Sequence, residues 1–365
     1  MVGGCFKNML NGPCGGYRDT QCEVSGECVW VKIYSKIGSP NKRYDVFTKV
    51  NLRPYFKLRD YYPPPRRDLS KFMSLLSKGK AVAYEVFSQP NNQDIPKLID
   101  LLGRLSPYVD AYTIVDSPMG LRTYDQLALA LLIKNNIMNS DVIINIASRN
   151  KRVEEFIPYL ITSLNCNIRN YIFITGDWPR NDVKAFFELD STQLVYLSRL
   201  LSDLGIDHNG KKVNLGSKPA HIGVAVNQYS NYLELEVLRC VRKLRAGAEF
   251  IVTQPIYDVN RFKQFVKLLK TYNVDVKLVI TYAVIDSIGK LNSLSNLGIN
   301  LSSSERERII NLLRTNDFIT ANEVMFKEIL EGVKDLSNGY YISTYGNNEV
   351  ALRFLKSVRN EIEKM

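Results

Sequence analysis

Histidine is almost absent from this 365-residue chain: there are two, His208 and His221, in different segments. Two isolated imidazoles give no HExxH pair, which excludes a helix-borne zinc-hydrolase site. No GxxxxGK[ST] loop and no GxSxG elbow occurs, so nucleoside-triphosphatase and serine-hydrolase chemistry have no support. No stretch approaches the roughly 18 consecutive apolar residues that a spanning helix needs. The first 30 residues contain no apolar signal core. Together these absences lead us to expect a cytoplasmic protein with no membrane partner.

What is present is ordinary globular composition, 45% hydrophobic and 23% charged, with a net charge of +11. The basic residues are spread along the chain, densest at Pro65-Arg66-Arg67 and at 239–245. No nucleic-acid motif accompanies them, so we expect no nucleic-acid partner and read the charge as a solvated surface that steers anions.

From about residue 81 one theme repeats. A β-branched or aromatic run is followed by a segment with helical apolar spacing. The runs are 81–87, 110–115, 141–147, 171–175, 220–226, 250–253, 276–282 and 340–344. The helical segments are 96–105, 124–137, 153–164, 192–204, 232–246, 259–272, 304–330 and 349–362. Eight such units predict an α/β fold, a (β/α)8 TIM barrel. An open doubly wound sheet also alternates strand and helix, but its glycine fingerprint is missing after the first run, where Ser88-Gln89-Pro90 stands. Ser302-Ser303-Ser304-Glu305 predicts a capping box ahead of the long helical stretch. Tyr61-Tyr62-Pro63-Pro64-Pro65-Arg66 reads as an extended linker. It divides a cysteine-rich N-terminal segment, 1–60, from the barrel, 61–365.

Active sites of such barrels form at the C-terminal ends of the strands. The polar residues there are Glu85, Asp116, Asn145 with Arg149, Gly176-Asp177, Asn227-Gln228, Gln254 and Thr344-Tyr345. Glu85 stands in an apolar run, where burial raises a carboxyl pKa toward the range a general acid needs. The competing reading is a carboxylate that only caps a loop. Gly176 admits a flat ligand close to the backbone, whereas Asp177 is equally a turn residue. Gln254 offers donors and an acceptor suited to the amide-like edge of a pterin or flavin, or bonds a neighbouring strand. Arg242, Lys243 and Arg245 cluster near a helix C-terminus, where cations already complement the dipole.

Four of the six cysteines, Cys5, Cys14, Cys22 and Cys28, fall in the first 28 residues. The gaps between them of eight, seven and five residues are not the paired CxxC of a zinc ribbon. Clustering in a cytosolic chain points to zinc or an iron–sulfur cluster more than to disulfides.

The motifs in the barrel resemble those of the methylenetetrahydrofolate reductase family. The resemblance is carried by Tyr84-Glu85-Val86-Phe87, by Thr175-Gly176-Asp177-Trp178-Pro179 and by the run 246–258, AGAEFIVTQPIYD. The run 343–351, STYGNNEVA, is similar to the closing strand and helix. The segment around Pro13-Cys14-Gly15-Gly16, Cys22-Glu23 and Cys28-Val29-Trp30 resembles the C-terminal end of the family's small cysteine-rich partner protein. The resemblance implies reduction of a methylene on a reduced pterin, folate or its archaeal analogue, by hydride from bound flavin. In it Glu85 is the acid, Asp177 sits beside the flavin, and Gln254, Asp116 and Tyr345 bind substrate. Asn145, Thr175, Gly176, Asn227, Arg242 and Lys243 fall at flavin contacts, with FAD expected rather than FMN. The implied donor is NAD(P)H or an electron-donor protein, and the implied assembly is a homo-oligomer. Departures from the pattern are Asn145 for a common His, Val115 for Thr, Thr175 for Arg, and Asn227-Gln228-Tyr229 in the loop after the fifth strand. They keep open a flavin-free, nicotinamide-using reductase and a non-catalytic barrel or partner subunit. A methyltransferase using a thiolate-bound metal is the third alternative.

Overall fold

A computed structural model describes residues 4–37, 47–89, 94–179, 184–215 and 219–364. A short antiparallel hairpin, β1 (Tyr17–Arg18) and β2 (Gln21–Cys22), belongs to the N-terminal segment. Eight parallel strands follow: β3 (Ala81–Val86), β4 (Ala111–Ile114), β5 (Asp141–Ala147), β6 (Asn170–Ile174), β7 (His221–Ala225), β8 (Phe250–Val252), β9 (Lys277–Ala283) and β10 (Gly339–Ser343). They close into a barrel because β10 pairs with both β9 and β3, Gly339 lying opposite Val279 and Ala81. This is the (β/α)8 barrel that the alternating pattern predicts.

Strand alternation divides the apolar residues into two cores. Val82, Tyr84 and Val86 point outward into the layer beneath the helices. Ala81 and Ala83 point inward with Ala111, Ile143, Ile172, Phe250, Val252, Val279 and the Tyr341 ring. The interior is sealed at its N-terminal end by a helix, Lys71–Ser77, whose Phe72, Met73 and Leu76 insert into it. Phe72 meets Phe250 edge-on at 5.9 Å between ring centroids. Close packing there requires a missing side chain: a Cβ on Gly223 would lie 2.2 Å from the Phe250 ring.

Three local expectations change. The stretch 304–330 is two helices, Ser303–Thr315 and Phe318–Val333, because Asp317 caps the second by accepting from the Ile319 and Thr320 amides. A short helix, Ile288–Ser293, follows β9. The tract 61–66 is docked on the barrel wall instead of free. Its prolines keep it extended, which leaves carbonyls for outside donors, and buried Arg199 donates to the Pro64 carbonyl. Tyr61 donates to Asp203 at 2.6 Å, and Arg66 pairs with the same carboxylate.

The N-terminal segment is therefore a strap along the outside of the barrel. At the C-terminal mouth Lys7 donates to the Gly176 carbonyl (2.7 Å), Tyr17 bonds Ser230 (2.8 Å) and Arg18 donates to the Asn296 carbonyl (2.9 Å). Lower down, Tyr196 on the helix Ser191–Arg199 donates to the Leu58 carbonyl and accepts from the Tyr61 amide. At the base Ser70 meets Asn170 and His221, the first residues of β6 and β7.

Candidate active site at the barrel mouth

Above the apolar interior lies a polar layer. Glu85 is the third inward residue of β3, and the register sets it beside Thr113 of β4. Ring closure brings β10 alongside on the other flank. Ser343 Oγ donates to Glu85 Oε1 at 2.6 Å and Tyr341 Oη to Oε2 at 2.7 Å. Burial pushes the Glu85 carboxyl up, against the opposing pull of the Ser343 and Tyr341 donors. Asn145 lies on β5 with its Oδ1 buried and, among the described residues, without a partner. Thr113 Oγ1 is likewise buried and, among the described residues, unpartnered. An unmatched buried oxygen costs about 1–3 kcal/mol.

Around the rim, the loops after β4 and β6 are stapled together. Asp177 Oδ2 accepts from the Met119 amide (2.7 Å), and Arg149 Nη1 donates to the Asp177 carbonyl (2.6 Å). Gly176 has φ +87°, and a Cβ there would meet Ala147 Cβ at 2.9 Å. Its glycine therefore serves the turn and the close packing against β5. The Thr175 carbonyl accepts from the Arg149 amide, also within this staple. Asp116 is buried and tied to the Ala147 amide at 3.0 Å, joining the ends of β4 and β5.

Across the mouth, the Gln228 side chain brackets the Gln254 backbone, accepting from its amide (3.1 Å) and donating to its carbonyl (2.8 Å). The structural amide is thus Gln228. The Gln254 side chain, half-buried on the inward-facing parity of β8, stays available. Tyr345 has φ +51° and carries Lys290 over its ring at 4.8 Å, and burial raises its phenol. Asn227 is engaged locally, its amide donating to Glu236 (2.6 Å) and its Oδ1 accepting from the Tyr229 amide (2.9 Å).

Arg242 and Lys243 are placed differently from a phosphate-facing pair. Both are about 1% exposed, on the helix Leu233–Arg245 beneath the strap. Arg242 lies under Trp30 (6.0 Å) and Gly12, and burial pushes it down to about 10. Lys243 donates to the Ala225 carbonyl at 3.1 Å. Burial first, then the charge of Arg239, pushes Lys243 down to about 7.

The four clustered cysteines are free thiols, and no three His, Cys, Asp or Glu side chains among the described residues converge on a metal position. Cys28 packs in a small core with Met9, Trp30 and Val31, whereas Cys14 turns toward the Gly16 amide (3.3 Å) and Glu23 (3.5 Å). Burial pushes the Cys14 thiol up to about 12.

Position at a strand end does not reach Tyr341, Ser343 or Thr113. Period-two alternation on β10, together with closure of the ring onto β3, is the signal that reaches the first two.

Residues 71–317 match a family model described as methylenetetrahydrofolate reductase. Residues 1–54 match a second, described as methylene-tetrahydrofolate reductase C terminal, although here that segment precedes the barrel. No match to a curated protein was found. Among solved structures, the chain is similar to an uncharacterized protein from Clostridium thermocellum described as binding two copies of 5-methyl-5,6,7,8-tetrahydrofolic acid. That likeness has 15% identity and a TM-score of 0.56, covering 80% of this chain and 99% of the other. At such identity it speaks for the fold alone.

Proposed function

Because the chain belongs to the methylenetetrahydrofolate reductase family, we propose that it reduces a methylene carried by a reduced pterin to methyl, with Glu85 as general acid. The observation that carries this reading is Glu85 itself, an inward carboxyl at the mouth that burial drives toward its neutral form. Neutral Glu85 protonates the bridging nitrogen, the ring opens to an iminium, and hydride reaches the exposed carbon. Gln254 orients the pterin through its amide edge, with Asp116 and Tyr345 framing the pocket. The folate bound by the structural neighbour is of the substrate class this assigns.

The flavin supplies the hydride when bound, FAD being favoured over FMN. The mouth side of Asn145 and Asp177 fits its polar ring, since Asn145 presents a buried, unmatched acceptor. Arg242 and Lys243 fit its phosphates poorly, lying beneath the strap. That burial favours a second reading, in which a nicotinamide delivers hydride directly and no flavin resides. The absorption spectrum of natively purified protein separates the two: flavin bands support the first, a colourless active enzyme the second. Glu85→Gln is expected to lower turnover by about 10²–10⁴-fold, the usual share of a general acid, with the fold intact. Normal turnover in that variant overturns the assignment.

A further inference from the structure

Asp177 stands in the turn after β6, and both peptide planes that flank it are held by charged side chains. On the near side Lys7 of the strap donates to the Gly176 carbonyl (2.7 Å). On the far side Arg149 donates to the Asp177 carbonyl (2.6 Å), and the Trp178 amide donates to Glu23 Oε2 of the strap (3.2 Å). Peptide groups are rigid planes, so holding the two that bracket a residue restrains its φ and ψ together. What remains to Asp177 is the side-chain rotamer, and the Met119 amide selects it by donating to Oδ2 (2.7 Å).

The two strap-borne holds are built as a unit. Lys7 Nζ pairs with Glu23 Oε1 at 2.5 Å and lies 5.3 Å over the Phe187 ring, on which Trp178 is stacked (6.2 Å between centroids, 16° between planes). Glu23 directly follows β2, and its amide extends the hairpin by donating to the Gly16 carbonyl (3.0 Å). A Cβ on Gly16 would fall 1.7 Å from Glu23 Oε1, so the carboxylate occupies the room that a missing side chain leaves. The strap also has anchors independent of this pair. Asn11 bonds Asp190 through its amide and its side chain, Tyr17 bonds Ser230, and Arg18 donates to the Asn296 carbonyl.

We propose that Lys7 and Glu23 are a positioning pair for the active site, a strap-borne clamp that fixes the Gly176–Trp178 turn and so aims the Asp177 carboxylate. The clamp rests on reading the barrel mouth as the place of pterin reduction. Lys7 and Glu23 act through the turn alone and touch neither substrate nor cofactor. Because their charges offset one another, the clamp holds the turn without adding net charge to the rim.

The test uses nuclear magnetic resonance of the full-length protein labelled with 15N-tryptophan. The chain has two tryptophans, Trp178 on the clamp and Trp30 buried in the strap's own small core, and Trp178→Phe assigns their signals. Glu23→Ala should speed hydrogen exchange at the Trp178 amide about ten- to hundredfold, as for a lost charge-assisted bond. The Trp30 indole resonance should stay where the parent has it. Glu23→Gln keeps an acceptor of the same shape and should fall between. On the same proteins, Glu23→Ala should lower kcat/KM for 5,10-methylenetetrahydrofolate about tenfold, with NADH or reduced viologen as donor. In an Asp177→Ala background the same change should cost less than about twofold, since no carboxylate remains to be placed. Unchanged exchange at Trp178, a displaced Trp30 indole, or a kinetic loss undiminished in the Asp177→Ala background overturns the clamp. A parent that turns over no methylene-pterin overturns the proposed reaction instead, and the exchange rates then decide the clamp on their own.

Discussion

At the base of the barrel the polar side chains are matched one to another. Ser70 Oγ donates to Asn170 (2.6 Å), Asp141 accepts from the Phe72 amide (2.7 Å) and from Asn170, and His221 takes the Ser70 amide on Nε2 with Glu249 on Nδ1. At the mouth, built from the same strands, Asn145 Oδ1, Thr113 Oγ1 and Ser88 Oγ have no partner among the described residues. The rim also holds Ser117, Met119 and Tyr345 in the left-handed region, each a conformation that costs about 1–3 kcal/mol for such residues. The base is arranged for stability; the mouth retains unsatisfied groups and strain that a bound ligand can use.

Three experiments sharpen that contrast. The largest effect belongs to the base. Phe72→Ala empties the plug and should destabilise by about 3–5 kcal/mol in denaturant unfolding, while folded protein keeps the pterin affinity of the parent. A changed affinity would mean that the two ends are coupled. Next comes the strap at the mouth. Lys7 is 3% exposed, pairs with Glu23 at 2.5 Å and donates to Gly176. Lys7→Met should cost about 2 kcal/mol, as for a lost charge-assisted bond, and should weaken ligand binding as the Gly176-Asp177 turn loosens, which isothermal titration reads. The smallest is a pH effect at Lys243, whose folded pKa is lowered to about 7. The unfolded chain then binds the extra proton, so stability rises as pH increases above 7. Between pH 7 and 8.5 the gain should be about 1–2 kcal/mol at most, and Lys243→Met should abolish it. A flat profile in the parent would place Lys243 in contact with water.

The barrel was legible in the sequence because its strands, buried on both faces, read as short continuous apolar runs, and all eight fall within a residue or so of the runs read from pattern. The placement of Glu85 and Gln254 at the mouth was legible because both stand at strand ends. The partners of Glu85 were not, since Tyr341 and Ser343 lie more than 250 residues away and meet it only when the ring closes. The burial of Arg242 and Lys243 was hidden for the same reason, their cover coming from Met9–Pro13 and Trp30. Thiol spacing says how many residues separate sulfurs and nothing of where each side chain turns. Likewise, prolines foretold an extended tract at 61–66 but not that Arg199 would fasten it.

The strap also sets an order of events during synthesis. Its bonds span 169 residues at Lys7–Gly176, 213 at Tyr17–Ser230 and 278 at Arg18–Asn296. The strap, made before the barrel, can therefore settle only after most of the barrel has emerged, and closures of such length are intrinsically slow. Until then Met9, Trp30 and Val31, all buried in the finished molecule, are exposed on a nascent chain. The same wrapping that ties mouth to base sets closures that depend on a barrel made after the strap itself.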